Sequence, residues 1–238
     1  MKKNLFLFAW IISQIISAQS AENIIQNYYK AIGGEKLNQV QAILQKGKMI
    51  SNGMEFPMES YQNTKGQMYT KMNLMGQDMT MVAFDGQKGF VFDNASFGYK
   101  DIPDSLANVF KKKAENLFGY FYQYKKAGHK LKYLGKQKLE GKTYDKVHLI
   151  LAKPVEKNIQ DIFAYFDPKT HLLYAVEIKK DGHLALTENQ DYKTFDGLKF
   201  PTKIITKIDG NPVMTLQIND LKINPPQPAP AVFAKPKK

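Results

Sequence analysis

The sequence predicts a mainly β fold with helices (α+β), built on a sequential antiparallel meander. Short runs rich in Val, Ile, Thr, Tyr, Phe and Met follow one another from about residue 42 to residue 223. Turn dipeptides that supply the positive φ of tight hairpins stand between these runs: Asp85-Gly86, Glu140-Gly141, Asp181-Gly182, Asp196-Gly197 and Asp209-Gly210. Because strands twist, such a sheet curls and leaves a concave apolar face that another element must cover.

The two ends of the chain differ in character from this central part. Residues 1–18 have the layout of a secretory signal peptide, with Lys2 and Lys3 before an apolar run and the small pair Ser17-Ala18 at its end. The apolar run is too short to span a bilayer. We therefore expect cleavage near Ala18 and export to the periplasm, leaving one domain over residues 19–223. Residues 224–238, rich in Pro and Lys, form an extended tail.

The composition narrows the range of possible functions. The chain has no cysteine, which excludes disulfides, thiol catalysis and cysteine-based zinc sites. Its net charge is +12, and every basic residue is lysine. A chain without arginine lacks the usual residue for base and phosphate recognition, so we expect no nucleic-acid partner. A lysine-rich surface suits solubility, or transient contact with an anionic membrane surface.

Two helices are predicted. Apolar residues at three- and four-residue spacing run through residues 24–32, and Gly33-Gly34 ends this pattern. A second pattern begins at Pro103 and ends at Gly128. Its apolar stripe consists of Leu106, Val109, Phe110, Leu117 and Phe121. A helix inserted in a meander most simply lies across the concave face.

Methionine is concentrated in the first strands, where eight of the ten lie between Met49 and Met81. If Gly76-Gln77 is a two-residue turn, Leu74 faces Met79 and Met72 faces Met81. If Asp85-Gly86 is also tight, two phenylalanines join them. One apolar face then contains Met68, Met72, Leu74, Met79, Met81, Phe90 and Phe92, with Tyr69 on the opposite face. Two interpretations remain open: methionine as a core gap filler, or as the lining of a cavity for an apolar ligand.

No catalytic signature accompanies this face. The four histidines (His129, His148, His171 and His183) do not stand at the spacing of paired metal ligands, and the sequence contains no nucleophile elbow or P-loop. The aspartates lie mostly at hairpin tips, where they form turns. We therefore predict a protein that is not an enzyme and uses no metal or cofactor.

The order of landmarks resembles the LolA/LolB/LppX-like superfamily, specifically the outer membrane lipoprotein-sorting proteins. The resemblance covers nearly the whole mature chain. Its landmarks are Tyr29–Gly34 with Leu37 and Gly47-Lys48-Met49, Tyr133-Leu134-Gly135 with Glu140–Tyr144, Tyr165–Leu173, Asp191-Tyr192 with Asp196–Pro201, and Phe233–Pro236.

This resemblance implies a half-open β-barrel of about eleven antiparallel strands, with an N-terminal and a central helix covering the concave face. It also implies that acyl chains bind in that cavity without chemistry. The chain departs from the family pattern in one respect. The lipoprotein carrier gates its lid with an arginine, and this chain has none. Both lipoprotein and free lipid therefore remain open as cargo.

Two functions follow as hypotheses. The first is a monomeric periplasmic carrier for acyl chains of lipids or lipoproteins. Its cavity residues would be Met68, Met72, Leu74, Met79, Met81, Phe90, Phe92, Leu106, Phe110, Leu117 and Phe121. The second is a non-enzymatic envelope interaction module whose sheet is plugged by its own helix and binds a protein or glycan on the outside. Lipid bound to the purified protein distinguishes the first from the second.

Overall fold

The computed structural model describes residues 20–155 and 159–236. The predicted signal peptide, residues 1–18, lies outside the described residues. The described chain forms two compact units. The first unit contains residues 20–34, 121–155, 159–189 and 206–211, and the second contains residues 35–120, 190–205 and 212–236.

The elements follow the chain as a meander with few helices. Helix α1 covers residues 20–32 and α2 covers Asp104–Glu115, and 3-10 turns form Gly34–Gln39 and Pro230–Phe233. The strands are β1 (Ala42–Ser51), β2 (Met54–Asn63), β3 (Met68–Leu74), β4 (Gln77–Phe84), β5 (Gly89–Asp93), β6 (Gly98–Asp101), β7 (Lys130–Leu139), β8 (Lys142–Val155), β9 (Ile159–Phe166), β10 (Leu173–Lys180), β11 (His183–Phe195), β12 (Leu198–Ile208) and β13 (Asn211–Ile223).

The strands form one sheet in the order β6-β5-β4-β3-β2-β1-β13-β12-β11-β10-β9-β8-β7. Every neighbouring pair is consecutive in the chain except β1 and β13, which pair antiparallel from Ile43↔Ile223 to Ile50↔Thr215. The mainly β, antiparallel prediction with helices is thus confirmed. Within the described residues the sheet has thirteen strands, two more than the family resemblance implied, and the short β6 was not expected from the sequence.

The second helix is shorter than the sequence predicts. It ends at Glu115, followed by Asn116 at ψ 65° and by turns through residue 128. Gly119 adopts a φ of 75°, which a helix cannot accommodate. The aromatic residues beyond Glu115 pack against distant parts of the chain instead, for example Phe118 against Phe200 at 6.1 Å between ring centroids. The prediction of a helix to Gly128 is therefore wrong, because tertiary packing outweighs the apolar spacing.

The first unit has a tightly filled interior. Val147 pairs with Ala164 and Leu149 with Ile162, and all four side chains are fully buried. Against this face, Tyr28 of α1 and Phe121 place their rings 5.3 and 5.6 Å from that of Phe166.

None of the helices within residues 20–155 and 159–236 is long and apolar enough to cross a membrane.

One asparagine at the end of β13 hydrogen-bonds to the backbone at the start of β1. The Asn224 side chain accepts hydrogen bonds from the backbone N–H groups of Gln41 (2.6 Å) and Ala42 (3.2 Å), and donates one to the carbonyl of Gln39 (3.0 Å). We expect Asn224→Ala to lower the free energy of unfolding by about 1 kcal/mol, because water replaces these exposed bonds only in part. Urea unfolding measures this loss. The exposed Asn94→Ala should cost less than half as much, and equal losses would contradict the role given to Asn224.

Candidate functional site

The hairpin of β3 and β4 positions the methionines differently from the sequence prediction. Its turn residues are Met75 and Gly76, with φ of 54° and 87°, so Leu74 pairs with Gln77. Met72 consequently pairs with Met79 and not with Met81. The register built on a Gly76-Gln77 turn is therefore wrong by two residues. Positive φ at a methionine is unusual, and that is why the sequence pointed to the glycine as the first turn residue.

A bulge in β4 then reverses the faces of the strand. Lys71 pairs with Thr80 and Thr70 with Val82, which leaves Met81 as the extra residue. Beyond this point Ala83 lies opposite Tyr69, and Phe90 lies opposite Ala83. The predicted placement of Phe90 and Phe92 on the face of Met72 is therefore wrong. A one-residue bulge moves every later side chain to the other face.

Three methionines form a row across β2, β3 and β4. Met58 pairs with Met72, and Met72 pairs with Met79, so the three side chains share one face at about 5 Å intervals. The row continues to Gly47 of β1, which has no side chain, and to Ile218 of β13. All three methionines are half-buried. We call this set of Met58, Met72 and Met79 the methionine row.

Helix α2 covers the same face at one end of these strands. A core cluster joins Met68 and Phe84 to Ala114 of α2, and the Phe110 ring lies 6.0 Å from that of Phe84. Met68 and Phe84 occupy the ends of β3 and β4 away from their shared turn, whereas the methionine row lies towards that turn. The face is thus buried under α2 and only half-buried at the methionine row.

The opposite face of these strands carries an aromatic row closed by the C-terminal segment. Tyr61 and Tyr69 are cross-strand partners with stacked rings 5.6 Å apart, and Phe233 meets Tyr69 edge-on at 6.3 Å. The Tyr69 hydroxyl donates to Glu59 at 2.7 Å. Burial and this bond raise the pKa of Tyr69. Tyr69 lies opposite the methionines, as predicted, but it is buried in a core of its own.

The predicted cavity residues are thus divided among several places. Met68, Met72, Leu74 and Met79 share the face of the methionine row, and Phe110 packs on that face from α2. Phe90 and Phe92 lie on the aromatic side, where both rings contact Tyr99. Leu106 is exposed, and Leu117 is half-buried beyond the end of α2. Phe121 belongs to the first unit.

Met58 was missed by the sequence analysis, although its membership of the methionine cluster was a usable signal. Its pairing with Met72 follows from the register of β2 and β3, which the connection through residues 64–67 sets. This face also differs from the interior of the first unit in how deeply its side chains are buried. There the facing side chains are fully buried, whereas the methionine row keeps contact with solvent. The methionine row is therefore the best candidate for a ligand-contact surface.

Charged groups of the first unit are engaged with one another. Lys207 bonds to Glu140, and its Nζ lies 2.5 Å from Oε1 of the buried Glu188. The pKa of Lys207 is raised by its bonds to these two carboxylates. Within the described residues no three His, Cys, Asp or Glu side chains are grouped so that they could hold a metal ion. These pairs have the geometry of structural ion pairs.

A hollow of about 370 Å³ lies elsewhere in the second unit. Its lining includes Lys36, Asp196 and Asn224, and none of the predicted cavity residues. Asn224 is already committed to the backbone of residues 39–42. Because the lining is mixed and its asparagine is engaged, this hollow offers less to an apolar ligand than the methionine row does.

The comparisons with known proteins concern the fold. No family model matches the sequence, and no curated protein matches it. A domain described as belonging to an outer membrane lipoprotein-sorting protein of Vibrio parahaemolyticus is similar in structure, with a TM-score of 0.58 at 12% identity, over 90% of this chain and 97% of that one.

Two further solved structures agree with this result. A LolA superfamily protein from Nitrosomonas europaea matches with a TM-score of 0.55 at 13% identity, and a DUF1329 family protein from Desulfovibrio piger with 0.58 at 11% identity. Each match covers 90% of this chain and 97% of the other. The resemblance to the LolA superfamily is therefore confirmed for the fold.

Proposed function

We propose that this chain is a periplasmic carrier that holds acyl chains of lipids or lipidated proteins against the methionine row, without catalysis and without a cofactor. The observation that supports this most strongly is a row of three flexible thioether side chains left half-buried on a sheet face that α2 covers only at its other end. Methionine adapts to apolar partners of varied shape.

The binding energy of an acyl ligand can come from shape complementarity and the burial of apolar surface alone. Each buried methylene contributes about 0.8 kcal/mol, so a ten-carbon stretch supplies roughly 8 kcal/mol before the cost of ordering the chain. A surface that buries half of that stretch supplies about 4 kcal/mol, which corresponds to a Kd of about 1 mM, and burial of the whole stretch approaches about 1 μM. Such a site needs no polar motif, which is consistent with the absence of a catalytic signature in the sequence.

The shared fold and the expected signal peptide support the cellular setting of this proposal. The Vibrio domain is named for lipoprotein sorting. An apolar cargo must cross the aqueous periplasm in a shielded form, and an exported, monomeric binding protein meets that need. The lysine-only positive charge suits transient contact with anionic membranes, from which such a cargo would come.

Titration with a fluorescent long-chain fatty acid tests the proposal. The chain beginning at Gln19 is stripped of lipid, and the probe is added with and without unlabelled lysophospholipid as competitor. We expect saturable binding with one to two sites per chain, and displacement by the competitor. Fluorescence that rises linearly with probe, or that no amphiphile displaces, would refute the acyl-carrier function.

A further inference from the structure

The second unit exposes large apolar side chains at one end of its strands. Met75 is fully exposed, Phe97 is 81% exposed, Met54 58% and Val213 41%. They lie at the β3–β4 turn, the β5–β6 turn, the start of β2 and the start of β13. Because neighbouring strands alternate in direction, all four positions are at the same end of the strands. We call these four residues the tip row.

The sheet order sets the spacing of the tip row. Along the sheet the positions follow one another as Phe97, Met75, Met54 and Val213. Neighbouring strands are about 4.8 Å apart, so the row extends over roughly 25 Å with intervals near 10 Å. The intervening residues are polar, including Asn73, Asp78 and Glu55. The result is a line of separate apolar side chains and not a continuous patch.

The backbone at two of these tips is unfavourable for the residue it carries. Met75 and Phe97 adopt φ of 54° and 49°, the left-handed region in which Asn and Asp are favoured, and each precedes a glycine. In five other two-residue turns the position of Met75 is held by polar residues: Asn52, Glu140, Asp181, Asp196 and Asp209. An apolar residue here costs both backbone strain and exposure, and Met75 gains no burial in return.

Side-chain hydrogen bonds nevertheless stabilise the turns at Met75 and Phe97. Asn73 accepts the backbone N–H of Gly76 at 3.0 Å and donates to Asp78 at 2.8 Å. Asp93 accepts the Ser96 hydroxyl at 2.5 Å and pairs with Lys100 at 2.7 Å. These bonds to Lys100 and Ser96 lower the pKa of Asp93 to about 2. Met75 and Phe97 are thus presented to solvent by well-braced turns.

We infer that the tip row inserts into the headgroup region of an anionic phospholipid bilayer. Single apolar side chains spaced near 10 Å fit this environment, which accepts them to a depth of about 5–10 Å between polar headgroups. A protein partner would instead require a contiguous, desolvated apolar centre. The net charge of +12, or +10 without Lys2 and Lys3, has lysine as its only basic residue and supplies long-range attraction to an anionic leaflet.

The location of the tip row gives this docking a role that rests on the proposed function. Met72 and Met79 lie three and four residues from Met75 along β3 and β4, roughly 10 Å from the turn. With the tips in the headgroup layer, the methionine row lies at the membrane surface, roughly 10 Å from the inserted side chains. An acyl chain would then have only a short distance to cross between bilayer and protein.

Vesicle sedimentation tests the inference, with vesicles of phosphatidylethanolamine and phosphatidylglycerol. We expect the double variant Met75→Asn, Phe97→Asn to reduce the vesicle-bound fraction at least fivefold. Its Tm should stay the same or rise, because asparagine suits both turns. Adding an apolar tip by Asn52→Met should increase binding. The control Asp196→Met, in the same type of turn at the other end of β12, should bind vesicles no more tightly than Asp196→Asn, which removes the same charge without adding an apolar side chain.

A fluorescent reporter gives a second, independent readout. The chain has one tryptophan, Trp10, within the predicted signal peptide, so Phe97→Trp makes a chain from Gln19 onward that carries a single tryptophan. Its emission should shift to the blue with anionic vesicles and not with vesicles of phosphatidylcholine alone. Unshifted emission, or a double variant that sediments like the wild type, would overturn the docking.

The outcomes separate this inference from the proposed function. If the protein binds the fatty acid normally but does not bind vesicles, membrane docking is refuted and the acyl-carrier function stands. If the protein binds vesicles normally but binds no fatty acid, the acyl-carrier function is refuted and membrane docking stands. If the double variant unfolds, Met75→Asn alone carries the test, because Met75 is fully exposed.

Discussion

Changing Met72 to Asp is expected to weaken binding of a fluorescent fatty acid at least tenfold, which corresponds to about 1.4 kcal/mol. Met72 is the central residue of the methionine row, with Met58 on one side and Met79 on the other. An acyl chain lying on this row would force the new carboxylate out of water without a partner. Met72→Leu preserves volume and apolarity and should bind the probe within about threefold of the wild type.

The matched control for this change lies on the same hairpin. Thr80 is half-buried like Met72 but points to the other face, where it pairs with Lys71. Thr80→Asp therefore adds the same charge next to a cation and away from the proposed ligand. Tyr69 is unsuitable as a control because it is buried. If Thr80→Asp weakens the probe as much as Met72→Asp at equal Tm, the methionine row is not the ligand surface.

Replacing Gly47 by alanine is expected to destabilise the second unit strongly. A β-carbon at this position would lie 1.9 Å from the carbonyl oxygen of Gln217 and 2.9 Å from the Cα of Ile218. Both are backbone atoms of β13, which cannot move away without breaking the pairing of β1 and β13. We expect a loss of about 3 kcal/mol or more, at the upper end of the cost of overpacking.

Urea unfolding with a second glycine variant checks this expectation. Gly98 on β6 has an ordinary strand conformation, and a β-carbon there would come no closer than 3.7 Å to its neighbours. Gly98→Ala should therefore change the free energy of unfolding by less than about 1 kcal/mol. Equal losses for the two variants would mean that the β1–β13 contact is looser than the structure indicates.

The fold was largely readable from the sequence because turn chemistry is local. Dipeptides such as Asp181-Gly182 and Asp209-Gly210 carry the positive φ of their turns in their own residue types, and the structure has hairpins at both. The tip residues Met75 and Phe97 carry no such signal. The turn at Met75 was consequently misplaced, and the strand that follows the turn at Phe97 was not expected.

The candidate site was less predictable because it depends on long-range register. Met68, Met72, Leu74 and Met79 were correctly assigned to one face, since alternation along a strand fixes their side. The bulge at Met81 moved Phe90 to the other face, and periodicity contains no information about a bulge. Met58 joined the row only through pairing between strands. The end of α2 at Glu115 likewise depended on tertiary contacts of the residues that follow.

Mass spectrometry of the protein purified from its native host, without detergent, tests acyl-chain binding most directly. The protein is denatured after gentle isolation, and the released small molecules are compared with those from Met72→Asp prepared in parallel. The proposed function predicts near-stoichiometric lipid or acyl species from the wild type, and severalfold less from the variant. Wild-type protein that releases no lipid would contradict acyl-chain binding and favour a sheet that binds a protein or glycan on its outside.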